Sequence, residues 1–365
     1  MAKRIIIAGG GTGGHIFPAI AIANALKKED PSIGILFVGA KGKMEMEKVP
    51  QAGYKIEGLD IAGLNRSSLI KNVGLPLKLL KSFLQVRRIF GRFAPDAVIG
   101  VGGYSSFPVL RFAQARGIPT FIHESNSFAG KSNQLLGRKA TKIFVATDGM
   151  QQFFPAEKLV VTGNPVRPDI VNVATVAKEE ALRYFSLQTG KKTVLAVGGS
   201  LGARSINEAV AAGLDAMSDA GLQVIWQTGK TDAARWKEAA AGRSNVWASD
   251  FITQMQYAYA AADFVISRAG AMAIAELCLV KKPVLFVPYP YAAEDHQTVN
   301  AQNLVQKNAA LMVKDSDAKE KLVPAIIALA RDTQKQNELT KNISVLGVTD
   351  ADIKVADEIL KSTGR

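Results

Sequence analysis

Residues 5–18 read IIIAGGGTGGHIFP. A β-branched apolar run stops at Ala8, glycines follow, and the helix-compatible stretch Pro18–Lys28 begins soon after. The order is strand, turn, helix, and Gly9-x-Gly11-x-x-Gly14 is the spacing used where a backbone closes on a phosphate. A dinucleotide site also needs an acidic residue at the end of the second strand, to take the ribose hydroxyls. The second apolar run, Gly34–Val38, ends instead in Gly39-Ala40-Lys41, so the NAD reading loses its support. A Walker loop fares no better: Gly130-Lys131-Ser132 has the right ending, but Ser125 stands where the first glycine belongs. What remains is a strand–glycine–helix unit suited to another phosphate compound.

The same unit recurs. Gly100–Ser106 (GVGGYSS) and Gly198–Arg204 (GGSLGAR) are two further strand-to-glycine transitions. Strand candidates are Arg4–Ala8, Gly34–Val38, Ala97–Val101, Thr120–His123 and Lys142–Val145. Thr193–Val197, Gln223–Gln227, Phe264–Ser267 and Pro283–Val287 continue the series. Many are apolar on both faces, as buried parallel strands are. Helical stretches such as Pro18–Lys28 and Ile206–Ala220 fill the intervals. The alternation predicts an α/β chain, parallel sheets with helices on both faces. A chain of 365 residues exceeds one ordinary core. The seam falls at Gly163-Asn164-Pro165-Val166-Arg167-Pro168, giving predicted domains 1–165 and 166–349. The last helix, Ile353–Lys361 within residues 350–365, can pack on either domain, and a return to the first is the expected arrangement.

Charge divides at the same seam. Residues 1–165 carry 22 Lys and Arg against 10 Asp and Glu, a net +12 of the total +13. The N-terminal half therefore faces something anionic: nucleic acid, lipid headgroups or a diphosphate. No apolar run reaches membrane-spanning length, and Ile5–Ala8 is too short for the core of a leader peptide. The single cysteine, Cys278, excludes an internal disulfide and cysteine-cluster zinc sites, and fits a reducing compartment.

Three histidines are available. His15 borders the first glycine loop and is the candidate general base, histidine being the side chain that titrates near neutrality; bracing the turn is its bland alternative. His123 closes a strand and reads as structural, and His296 lies in Glu294-Asp295-His296-Gln297. Asp315–Asp317 and Asp350–Asp352 read as solvated helix flanks, so no metal is required and loop dipoles with cationic side chains stabilise any leaving diphosphate. Glu276 follows a strand end and a glycine turn; it suits ribose hydroxyls, or serves as a first-turn glutamate favoured by the helix dipole.

Leu69–Phe93 (LIKNVGLPLKLLKSFLQVRRIFGRF) is both aliphatic and cationic. Lys71, Lys78, Lys81, Arg88 and Arg92 form one helical face, and Leu79, Phe83, Val86, Phe90 and Phe93 a core stripe. Leu69, Ile70, Val73, Leu75, Leu77, Leu80 and Leu84 are left over, more apolar surface than one core uses. With the neighbouring Lys71, Lys78, Lys81 and Phe83 they make a patch suited to an anionic membrane surface. No recognition helix or aromatic–basic interleaving favours nucleic acid.

The motifs GGGTGGHIFPA, GVGGYSSFP, HESN, GNPVR, GGSLGA, SRAGAMAIAE and EDHQTVNA, in that order, closely resemble the MurG family. These are the peripheral-membrane N-acetylglucosaminyltransferases that convert lipid I to lipid II in bacterial peptidoglycan synthesis. The resemblance implies a GT-B fold, two Rossmann-like domains with parallel sheets facing a deep interdomain cleft. It implies inverting transfer of GlcNAc from UDP-GlcNAc to the MurNAc 4-hydroxyl of undecaprenyl-linked lipid I, with no cofactor, at the cytoplasmic face of the inner membrane. Cell-wall synthesis or division proteins are the protein partners it suggests. Thr12, Gly13, Gly14, Asn126 and Gln297 then serve the donor sugar, and Arg167 and Ser200 the UDP portion. Ile252 holds uracil through its backbone; Ala271, Met272, Ala273, Ile274 and Ala275 line phosphate and ribose, and Glu276 takes the hydroxyls. Gly10, Gly11, Gly102, Gly103, Tyr104 and Ser105 receive the acceptor diphosphate, and His15 is the base. Two positions depart from the family: Ser125 replaces a glutamine, and Ala273 a threonine or serine, leaving only backbone N–H there. Another GT-B transferase with a lipid acceptor, or a non-catalytic nucleotide-sugar or membrane-surface binding protein, are the alternatives.

Overall fold

The computed structural model describes residues 2–62, 75–292 and 295–364. Ile5, Ile6 and Ile7 are all buried, so β1 (Arg4–Ala8) is covered on both faces, as a central parallel strand must be. With β2 (Gly34–Ala40), β3 (Lys55–Leu59), β4 (Ala97–Gly100), β5 (Thr120–Glu124), β6 (Lys142–Val145) and β7 (Leu159–Val161) it forms a seven-stranded sheet. The order is β3-β2-β1-β4-β5-β6-β7, parallel throughout. The order reverses between β1 and β4, and ligands of such sheets lie beyond the strand ends at that reversal.

One face of this sheet packs on α1 (Gly13–Glu29) and the C-terminal helix Ala351–Ser362. Ile16, Ala19, Ile22 and Leu26 meet Val355, Ala356, Ile359 and Leu360, all buried. Burying Val355, Ile359 and Leu360 contributes about 1.5–3 kcal/mol each, which fixes the choice the sequence leaves open for this helix. The other face takes Val86, Ile89 and Phe90 of α3 (Leu75–Phe93) and Val109, Leu110 and Ala113 of α4 (Ser106–Ala115). The chain divides into two compact units, Met1–Arg167 with Asp350–Arg365, and Pro168–Thr349.

The second unit repeats the plan. β8 (Lys192–Val197), β9 (Leu222–Gln227), β10 (Val246–Ser249), β11 (Phe264–Ser267), β12 (Val284–Phe286) and β13 (Leu311–Met312) run in the order β10-β9-β8-β11-β12-β13, all parallel. Its reversal lies between β8 and β11. The predicted helix Ile206–Ala220 is two helices, Arg204–Ala212 and Leu214–Asp219. They break at Gly213, where any Cβ would lie 2.5 Å from Val323 Cγ2 of the helix Ala318–Arg331. Four strands absent from the sequence reading, β3, β7, β10 and β13, are the outer strands of the two sheets.

Candidate active site

In the first unit the glycine runs after β1 and β4 flank the sheet's reversal point and pack backbone against backbone. Gly9 N–H donates to Val38 O at 3.1 Å, and Gly10 N–H to Gly102 O at 3.2 Å. Gly11 N–H donates to Glu45 Oε2 at 2.7 Å, while Glu45 Oε1 accepts from Ala40 N–H at 3.0 Å. Glu45 opens the short helix α2 (Glu45–Gln51) and is 1% exposed. Its side chain lies flat on the turn, and a Cβ on Gly10 would fall 2.3 Å from its carboxyl carbon. Position 10 therefore has to be glycine. The amides of Gly10 and Gly11 are thus committed to internal acceptors. The N–H groups that remain for an anion are those of Gly13 and Gly14 at the start of α1, behind Thr12 and without a side-chain cap, since His15 and Ile16 N–H already donate to Thr12 O at 3.1 Å.

His15 sits in that first turn, half-buried. Its Nδ1 lies 3.0 Å from Gly10 O and 3.5 Å from Thr12 Oγ1. A carbonyl can only accept, so Nδ1 carries a proton, and in the neutral ring the lone pair then lies on Nε2. The ring rests on Gly102, where φ is +94° and a Cβ would come within 2.7 Å of Nε2. Beyond it Tyr104 is exposed, while Ser105 is buried.

At the end of β5, the buried Glu124 organises the next loop. Its carboxylate accepts from Asn126 N at 3.1 Å, Asn126 Nδ2 at 3.3 Å, Gly130 N at 3.2 Å and Asn133 Nδ2 at 2.8 Å. Asn126 is thereby fixed through its nitrogen atoms. His123, next to Glu124, is fully buried, and burial pushes its imidazole down to about 4. Ser125, the first departure from the family, is buried, and its carbonyl accepts from Asn164 Nδ2 at 3.0 Å. Arg167 lies over the Phe17 ring of α1, 5.2 Å from its centroid.

In the second unit, the loop Gly198–Arg204 follows β8 and the helix Ala271–Val280 follows β11, again on either side of the reversal. Residues 271–276 are half-exposed, whereas Leu277, Cys278, Leu279 and Val280 are buried. The helix starts behind Gly270 with no side-chain cap, so its first N–H groups are free to meet a ligand, with alanine at 273 adding no hydroxyl. Glu276 stands in the second turn, not the first, so the helix dipole does not account for it. Tyr259 Oη donates to its Oε2 at 3.0 Å. Ile252 is buried and its N–H donates to Gln227 Oε1 at 3.1 Å, leaving its carbonyl as the backbone group available. Gln227 Nε2 also donates to Gly199 O at 3.1 Å, tying that residue to the loop that carries exposed Ser200. Gln297, in the first turn of the helix His296–Val305, accepts from Tyr289 N–H at 3.0 Å.

Asp315 is not solvated surface. It pairs with Arg268, just past β11, and accepts from Ser205 Oγ, while Arg268 Nη1 donates to Val287 O at 2.9 Å and Pro288 O at 3.1 Å. Arg268 is 13% exposed, so this clamp fixes the strand ends rather than meeting a ligand. Glu45 lies in none of the motifs read from the sequence, and Arg268 lies in one without its role being marked; each is explained by a partner remote in the chain. Among the described residues no group of three or more His, Cys, Asp or Glu side chains gathers.

On α3, Leu77, Leu80 and Leu84 are 74%, 61% and 53% exposed and share one face. Lys78, Lys81, Arg87, Arg88 and Arg92 surround them, Lys81 pairing with Asp60 at 3.0 Å. The two ammonium groups of Lys41 and Lys81 hold the Asp60 carboxyl down at about 2. Phe83 is half-buried on the flank of that face. Leu69, Ile70, Lys71 and Val73 lie outside the described residues.

Residues 5–145 match the glycosyltransferase family 28 N-terminal domain, and residues 193–355 its C-terminal domain. The UDP-N-acetylglucosamine–N-acetylmuramyl-(pentapeptide) pyrophosphoryl-undecaprenol N-acetylglucosamine transferase of Parabacteroides distasonis is 53% identical over 98% of this chain and 98% of its own length. The Phocaeicola vulgatus enzyme of the same name is 52% identical over 98% of this chain and 96% of its own. The crystal structure of Acinetobacter baumannii MurG superposes with a TM-score of 0.79 at 29% identity, covering 98% of this chain and 99% of that one. With both domain signatures present, two parallel sheets of the GT-B class and full-length identity above one half, the chain belongs to glycosyltransferase family 28, in its MurG branch.

Proposed function

We propose that the chain transfers N-acetylglucosamine from UDP-N-acetylglucosamine to the muramoyl 4-hydroxyl of lipid I, giving lipid II. The observation that carries this reading is the pairing of two sites. One is His15 with its Nδ1 bonded to Gly10 O at the reversal point of the first sheet; the other is an uncapped helix start with Glu276 in its second turn at the reversal point of the second. The names of the relatives supply the substrates.

In this reading the helix start at Ala271–Ala273 receives the donor diphosphate, and Glu276 accepts from the ribose hydroxyls. The Ile252 carbonyl and the loop at Ser200 serve the uridine side, and Gln297, Asn126 and Arg167 the sugar and phosphates. Thr12, Gly13 and Gly14, which the family resemblance gives to the donor sugar, supply N–H groups for phosphate at the first unit in place of the committed Gly10 and Gly11 amides, with the half-buried Gly102 and Gly103 and the exposed Tyr104 beside them. His15 Nε2 takes the acceptor's hydroxyl proton as its oxygen bonds to the sugar's anomeric carbon. The bond from that carbon to the β-phosphate oxygen breaks, its electron pair leaves with UDP, and attack from the opposite side inverts the configuration. Backbone N–H groups and helix dipoles bear the charge that grows on the diphosphate.

The membrane belongs to the same proposal. No helix among the described residues is long and apolar enough to cross a bilayer. The leucine face of α3, ringed by cations, suits shallow docking on anionic lipid, where lipid I resides. The test is UDP release by the purified protein. It should require both UDP-N-acetylglucosamine and a short-chain lipid I analogue, and be insensitive to chelator. Release at the same rate without acceptor would refute the transferase reading.

A further inference from the structure

Glu45 is a buried carboxylate lying against the uncharged Gly9–Gly14 turn, and both of its oxygens accept from backbone amides rather than from a cation. The amide at 2.7 Å belongs to Gly11, and the peptide unit that carries it is Gly10–Gly11. The carbonyl of that same unit, Gly10 O, accepts from His15 Nδ1 at 3.0 Å. One planar peptide thus has a carboxylate at its N–H end and the imidazole at its oxygen end. Hydrogen bonds in series polarise one another, and a peptide group is a conjugated conductor of that polarisation. Negative charge on the N–H side shifts electron density toward Gly10 O and makes it a stronger acceptor for His15 Nδ1–H.

We propose that Glu45 is a positioning residue that acts on His15 through the Gly10–Gly11 peptide, holding the imidazole as its Nδ1–H tautomer and so leaving Nε2 to accept a proton. The inference rests on the reading of His15 as base. The arrangement has the logic of a carboxylate–histidine pair with a peptide inserted between the partners. It also explains the glycine at position 10, because the carboxylate reaches the amide only by lying where a Cβ would be. The Ala40 bond anchors the second oxygen to the end of β2, so the carboxylate cannot swing away from the turn.

The test is a two-bond ¹H–¹⁵N spectrum of histidine-labelled protein at pH 8, with His15 assigned by its loss in His15→Gln. The wild type should show neutral His15 as Nδ1–H. Glu45→Gln should move it toward the Nε2–H form and lower kcat about tenfold, equivalent to about 1.4 kcal/mol of barrier, with UDP-N-acetylglucosamine affinity within about twofold. A merely structural role would alter thermal stability and leave the tautomer alone. Wild-type His15 in the Nε2–H form, or a tautomer and kcat unmoved in Glu45→Gln, overturns the proposal. If Glu45→Gln does not fold, hydrogen exchange of the wild-type Gly11 amide decides. Strong protection in this loop is the expected result, and exchange at the rate of an open loop overturns it. The two readings separate cleanly: turnover surviving in His15→Ala sinks the base and leaves the tautomer coupling standing. An unmoved tautomer sinks the coupling and leaves the base.

Discussion

The proposed mechanism divides the two nitrogens of His15: Nδ1 donates to Gly10 O, and Nε2 takes the acceptor's proton. Replacing it by alanine should lower kcat by about 10²–10⁴-fold, the range for a general base. Donor affinity should stay near wild type in a titration with UDP-N-acetylglucosamine, and turnover within a few-fold of wild type would remove His15 from the mechanism. His123 has the opposite character. Its folded value of about 4 lies below the ordinary 6.5, because burial penalises the charged ring. Between those values the unfolded chain binds a proton that the folded chain refuses, so stability is full above pH 6.5 and falls toward pH 4. The loss amounts to about 3 kcal/mol across that window. His123→Asn should therefore show a shallower fall in melting temperature from pH 7 to pH 4.5 than wild type; an equal fall would assign the acid sensitivity elsewhere. Local sequence singles out His15 and Glu276 because each follows a strand and a glycine turn. It did not reveal Glu45, which is 34 residues from the amide it holds, because only the fold of β2 and α2 brings the two together.

The nine strands visible in the sequence are those whose residues are buried on both faces, and a continuous apolar run needs no partner to be recognised. The outer strands β3, β7, β10 and β13 are mostly half-exposed and only two to five residues long, so neither run nor alternation distinguishes them. Helix starts are legible from the glycines, whereas the need for glycine at 213 is not, since it comes from Val323 packing on that position from a distant helix. The helix α3 is read twice by its own pattern, once by Val86, Ile89 and Phe90 in the core and once by three leucines in water. If that second stripe docks on lipid, Leu77→Glu with Leu80→Glu and Leu84→Glu should sharply reduce sedimentation with anionic vesicles. The melting temperature should be retained, because surface substitutions typically change stability by under about 0.5 kcal/mol each. Undiminished sedimentation would place membrane contact on another surface.

Across the whole chain, one plan is used twice: a parallel sheet whose strand order reverses beside a glycine turn and a helix start. The halves then diverge in charge, with nearly all of the net +13 in the first. That asymmetry agrees with an anionic lipid-linked acceptor on the first unit and a soluble nucleotide on the second. Fold class and family were readable because glycine turns and buried strands are local features. The internal commitment of the Gly10, Gly11 and Ile252 amides was not, because hydrogen-bond partners are a property of the folded backbone. The central claim is that the two reversal points divide the substrates between them, the nucleotide sugar going to the second. A crystal structure with UDP-N-acetylglucosamine tests it most directly. The ribose hydroxyls should lie within hydrogen-bond distance of Glu276, and the diphosphate on the N–H groups that open the helix Ala271–Val280. A nucleotide found instead on the Gly9–Gly14 turn of the first unit would contradict the account.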